Sequence, residues 1–167
     1  MPQARPAGKN QPHVMLIYPN DAERSRLVQP YLRACERGYG FLSILSGAPG
    51  KERRKLTSSA KVLVMDARAL KSDSNPVRTF AELADGARQR FTSGGFDDWL
   101  WIGDWEHLLY GRMDSVLKIE RYVAEHLDCS VVCCFRSKGF SSLSLREIGE
   151  LFDIHDAIIL PASTFAK

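Results

Sequence analysis

Compact apolar runs alternate with amphipathic stretches along most of this chain. Val14-Met15-Leu16-Ile17-Tyr18 is ended by Pro19-Asn20, which reads as a strand followed by a turn. Asn20 or Asp21 then caps a helix over Ala22 to Arg37. Its apolar positions Leu27, Val28, Tyr31, Leu32 and Cys35 recur at helical spacing, while Glu23, Arg24, Arg26, Arg33 and Glu36 fill the other face. Gly38 supplies the stop, and Pro30 is expected to bend the helix or to lie near the first turn of a second one. Further strand-length runs cover Phe41 to Leu45, Val62 to Met65, Trp99 to Ile102, Val131 to Phe135 and Ala157 to Leu160. Helical patterns lie between them at about Pro76 to Phe91, Met113 to Leu127 and Ser144 to Phe152. Strands that are apolar on both faces and alternate with amphipathic helices predict an α/β fold: three layers, with a mostly parallel sheet flanked by helices. Met1 to Pro12, rich in Pro, Gly, Gln and Lys, reads as a flexible leader, so the single domain is expected over residues 13–161 with a short tail at 162–167.

Composition supports one ordinary globular module. The chain has 167 residues, 44% of them apolar and 26% charged, and a chain of that size buries roughly 70% of its unfolded surface without needing a staple. The length leaves little room for a separate output domain beside a sensor. A net charge of +3, spread along the chain, is too small for a nucleic-acid footprint. No run approaches a membrane span and no signal-peptide pattern opens the chain, so a cytoplasmic protein with reduced thiols is expected. The spacing of Cys35, Cys129, Cys133 and Cys134 fits no paired zinc template, and neither metal nor cofactor is expected.

Ligands on open α/β sheets bind beyond the carboxyl ends of the strands, which directs attention to the residues that follow each run. Ser46-Gly47-Ala48-Pro49-Gly50-Lys51-Glu52 departs from a phosphate-binding loop, because Leu45 stands where the first Gly belongs and Glu52 where a Ser or Thr should hold magnesium. Asp104 and Trp105 close an apolar strand and combine a carboxylate with an indole, the kind of pairing found at the mouth of a small-molecule pocket, or else Asp104 caps a turn. Asp66, with Asp21 after the first strand, suggests a phospho-receiver, but the hydroxyl and Lys that such a site needs at later strand ends fit loosely. Cys133 and Cys134, adjacent in a strand, point to opposite faces and cannot chelate one ion together; buried apolar packing is their plain reading. His13 and His155 each precede or open a strand and read as hydrogen-bonded structural residues.

The order of these pieces resembles the methanogen/methylotroph sensory (MEDS) domain family, which includes the sensory part of the dichloromethane-responsive regulator. The resemblance is carried by His13-Val14-Met15-Leu16-Ile17-Tyr18, by Glu36-Arg37-Gly38 before an apolar strand, and by Val62-Leu63-Val64-Met65-Asp66-Ala67. It continues through Gly103-Asp104-Trp105-Glu106-His107-Leu108-Leu109-Tyr110-Gly111, Ile119-Glu120, Val132-Cys133-Cys134-Phe135 and His155. Asp104 stands where the family usually has Glu, Trp105 where it has Met, and Arg136 where an Asp is frequent. The resemblance implies a RecA-like or KaiC-like core without a phosphate loop, working as a sensor of small hydrocarbon-type molecules.

These readings lead to one expectation: a non-enzymatic, single-domain sensor that binds a small organic ligand and signals through a separate kinase or regulator, with a second copy of the chain as another candidate partner. The ligand-binding residues would be Asp104, Trp105, Glu120, His13, Tyr18 and Cys133. A degenerate nucleotide-binding ATPase using Gly50-Lys51 and Asp104, a receiver-like protein, and an interaction scaffold using Lys51 to Lys55 are the alternatives.

Overall fold

The computed structural model describes residues 11–37, 40–47, 61–105 and 112–161. Strands form where the apolar runs lie: β1 (His13–Tyr18), β2 (Gly40–Ser46), β3 (Val62–Asp66), β4 (Asp98–Asp104), β5 (Ser130–Arg136) and β6 (Ala157–Ile159). All neighbours are parallel, in the order β3-β2-β4-β5-β1-β6. Between them run α1 (Asp21–Arg37), α2 (Arg68–Ser72), α3 (Pro76–Gly94), α4 (Met113–His126), α5 (Ser137–Phe140) and α6 (Leu145–Ile154).

Local chemistry explains the helix boundaries. Asn20 Oδ1 accepts from Glu23 N at 3.0 Å and so caps α1. That helix continues through Pro30 as a single element, although the ring removes the donor that Arg26 C=O would have used. Asn75 caps α3 ahead of Pro76, and Gly95 ends it in the left-handed region at φ 63°. Ser144 and Glu147 form a reciprocal capping box at α6. The short helices α2 and α5 have no counterpart in the sequence pattern, since four or five residues are too few to display helical periodicity.

Alternation along each strand divides the core in two. Met15, Ile17, Trp101, Cys133 and Phe135 face one layer, where they pack against Phe80 and Ala84 of α3, Val116 and Val123 of α4 and Leu151 of α6. Leu16, Tyr18, Ile102, Val132 and Cys134 face the other, against Val28 and Leu32 of α1. Three layers result, as the sequence predicts. No helix among the described residues is long and apolar enough to cross a membrane.

Candidate functional site

One polar cluster lies inside the layer between the sheet and helices α4 and α6. His13 opens β1, and Cys133 lies two positions beyond His13's partner Val131 in the neighbouring β5, so both side chains leave the same face. Glu120 is set within the apolar stripe of α4, on the same face as Val116 and Val123. His155 links α6 to β6, and β6 pairs with β1. Asp156 holds this junction from both sides, its carboxylate accepting from His13 N and its own N donating to His13 O, each at 2.8 Å.

The side chains converge on one carboxylate oxygen. Glu120 Oε2 lies 3.0 Å from His13 Nε2, accepts from Cys133 Sγ at 3.2 Å and is 3.5 Å from His155 Nε2. His13 Nε2 and Cys133 Sγ are 3.3 Å apart, and the two imidazole centroids are 4.1 Å apart. His155 Nδ1 donates to Leu151 O at 2.7 Å, which directs its Nε2 toward the cluster. All four residues are buried, Glu120 completely. That burial pushes the Glu120 carboxyl up, but the neighbouring His155 and His13 outweigh it and bring it down to about 2. Burial, and then the Glu120 charge, push the Cys133 thiol well up, while the Trp105 indole N–H works in the opposite direction. An ionised carboxylate, two imidazoles and a thiol within 4.8 Å of one another are a set of metal-type donors.

The remaining expected residues do not all join this cluster. Trp105 shares its face and packs near Phe80, with ring centroids 6.0 Å apart. Tyr18 and Asp104 lie instead at the carboxyl end of the sheet and point into the α1 layer, where Tyr18 OH donates to Asp104 Oδ1 at 3.2 Å and Arg24 Nε stands 3.3 Å from Oδ2. The six residues expected around one ligand therefore separate onto two faces, because positions of even and odd number in a strand point apart. His155, read as a structural residue, belongs to the first cluster. Its sequence signal is weak, whereas Glu120 is visible as a lone acid between Val116 and Val123 in an otherwise apolar stripe. The loop candidate at Gly50-Lys51 and the stretch from Glu106 to Gly111 lie outside the described residues.

A cavity of about 400 Å³ opens at the other end of the sheet, beneath α1. Val14, Tyr31, Ala34, Trp99, Leu100 and Val132 form its mostly apolar wall. Val14 and Val132 are the chain neighbours of His13 and Cys133, so the cavity and the polar cluster stand back to back across β1 and β5. No protein-family model matches the chain, and searches of curated proteins and of solved structures give no significant match.

Proposed function

We propose that this chain is a non-enzymatic sensory module that admits a small organic molecule to the cavity beneath α1 and passes the signal to a partner protein. The cavity carries this reading: its volume of about 400 Å³ suits a small ligand, and its walls are apolar with few polar groups. An occupant there would press on Val14 and Val132, and so on the two strands that carry His13 and Cys133 behind them.

The enzymatic alternative has less support. β1 joins α1 through Pro19 and Asn20 alone, with no glycine and no length to wrap a phosphate. Asp104, the acid a nucleotide hydrolase would use for magnesium, is engaged by Tyr18 and Arg24. A receiver reading fares no better, because β1 and β3 stand four strand steps apart in the sheet. At about 4.8 Å per step, Asp21 and Asp66 are too distant to share an ion, and each is paired with an arginine, Arg136 and Arg68 respectively.

The test is a titration with dichloromethane and with benzene, followed by tryptophan fluorescence and by thermal melting. Saturable change is expected in the native chain and in Trp101→Phe, and no change in Ala34→Trp, whose new side chain fills the cavity. Urea unfolding should confirm that Ala34→Trp is folded. Absence of any saturable response, or an equal response in Ala34→Trp, would remove the cavity from the reading.

A further inference from the structure

The cluster at His13, Glu120, Cys133 and His155 has polar atoms that its own hydrogen bonds leave unmatched. Glu120 Oε1 and His13 Nδ1 are buried without a hydrogen-bond partner among the described residues, although a buried polar atom left unmatched costs about 1–3 kcal/mol. Meanwhile two imidazole nitrogens and a sulfur crowd the other oxygen of the same carboxylate. A closed structural network would distribute its donors over both oxygens. A cluster arranged to hold a cation would focus its donor atoms in this way.

Distances agree with that interpretation. A four-coordinate zinc-type ion holds nitrogen and oxygen ligands at about 2.0–2.2 Å and sulfur at about 2.3 Å, which sets tetrahedral donor-to-donor edges at about 3.3–3.6 Å. The cluster has edges of 3.0, 3.3, 3.2 and 3.5 Å, and all its donor atoms lie within 4.8 Å of one another. These four of the six edges are within a few tenths of an ångström of the required size, and the two from His155 Nε2 to His13 Nε2 and Cys133 Sγ, at most 4.8 Å, close by an inward shift of the His155 ring.

Charge and donor type narrow the ion. One thiolate and one carboxylate neutralise a divalent cation completely, with two neutral imidazoles completing the shell, and only an electroneutral centre suits a site with no solvent. Nitrogen and sulfur donors select a transition metal over magnesium or calcium, which take oxygen. The Leu151 carbonyl already holds His155 in the tautomer whose Nε2 lone pair can bind, as outer partners of metal ligands do.

We propose that His13 Nε2, Glu120 Oε2, Cys133 Sγ and His155 Nε2 form a four-coordinate site for a divalent transition-metal ion of the zinc type. On binding, the Cys133 thiol proton and any proton that His13 Nε2 and His155 Nε2 direct at Glu120 pass to solvent, and one sulfur–metal and two nitrogen–metal bonds form with no change of oxidation state. Residues from β1, α4, β5 and the α6–β6 junction are then tied to one centre, so the ion fastens the edge strand β6 and helix α6 to the middle of the sheet. The site lies behind β1 and β5 from the cavity, and its four donors are in place without an occupant there, although one would press on the same two strands.

The full chain, stripped of metal by unfolding in urea with a chelator, should be refolded with Co²⁺ and separately with Zn²⁺. Refolding in the presence of metal gives the buried site access to it. One equivalent of Co²⁺ should produce tetrahedral visible bands together with a thiolate-to-cobalt charge-transfer band, and one Zn²⁺ should displace it. Cys133→Ser should remove the charge-transfer band, and His155→Gln should weaken zinc binding by more than about 100-fold, beyond what loss of an outer partner alone does. Cys134→Ala, on the opposite face, should bind as the native chain does. Circular dichroism identifies the folded variants, and Glu120→Gln, close in shape to the native residue, provides a ligand variant if either other fails to fold. The proposal is overturned by the absence of a one-equivalent cobalt spectrum, or by a charge-transfer band that survives Cys133→Ser. Loss of the spectrum in Cys134→Ala alone overturns it equally.

Discussion

The polar cluster makes an unusual prediction about stability without metal: replacing all of its charge should strengthen the protein, whereas replacing one member should weaken it. Glu120 Oε2 takes part in contacts to His13, Cys133 and His155 at 3.0, 3.2 and 3.5 Å. Hydrogen bonds to a charged group contribute about 1.5–3 kcal/mol each. Against them stand the desolvation of a fully buried carboxylate, several kcal/mol per ion, and the two unmatched atoms Glu120 Oε1 and His13 Nδ1 at about 1–3 kcal/mol each. Glu120→Met alone leaves two imidazoles and a thiol without their acceptor, a change that costs about 3–5 kcal/mol for buried pairs. The triple variant His13→Leu, Glu120→Met, His155→Leu removes the carboxylate and both imidazoles, leaving only the weak Cys133 S–H donor and the Leu151 carbonyl without their former partners, and apolar replacement of buried ion sets gains about 1–4 kcal/mol. Urea unfolding with a chelator present gives both values from the shift in midpoint at unchanged slope. Zinc should reverse the ranking, since an ion at a thousand times its dissociation constant adds about 4.1 kcal/mol to the native chain and nothing to the triple variant. A metal-free triple variant no more stable than Glu120→Met would refute the reasoning, because the cluster would then be holding the fold together in its own right.

Three further outcomes concern the scaffold. Phe80 is fully buried and packs on Trp101, Trp105 and Tyr122, so Phe80→Ala should cost about 3–5 kcal/mol and lower the melting temperature by roughly 3 °C per kcal/mol. Ser144→Ala removes the acceptor for Glu147 N and dismantles the capping box, and calorimetry should register a loss of about 1 kcal/mol. At Gly95 an added Cβ meets nothing within 4 Å, yet φ is 63°. Gly95→Ala should therefore cost about 1 kcal/mol through backbone strain alone, and denaturant unfolding that finds Gly95→Ala neutral would contradict this account.

The order and type of the long elements were readable in the chain. Runs such as Val14 to Tyr18 and Val131 to Phe135 are apolar at both parities, the mark of strands buried on two faces, and the stripe Val116, Ile119, Val123 repeats at helical spacing. Caps at Asn20, Asn75 and Ser144 are local events between residues three apart, so they too can be read from sequence. His13, Glu120 and Cys133 could be named singly, and the opposed faces of Cys133 and Cys134 follow from strand alternation.

Tertiary structure alone decided what those residues do together. Cys133 and His13 are 120 positions apart, and they meet because β5 pairs with β1 in a register that sets Cys133 beside Met15. His155 joins them only because β6 takes the outer side of β1 rather than the far edge beside β3, a choice of strand order that no local pattern records. Strand alternation set Tyr18 and Asp104 on the other face, where the packing of α1 brings Arg24 to them, away from the ligand site they were expected to share. Local periodicity determines which face of an element is apolar. Which faces then enclose a carboxylate, two imidazoles and a thiol is decided by long-range pairing, where the distances between donors, and hence their chemistry, first come into existence.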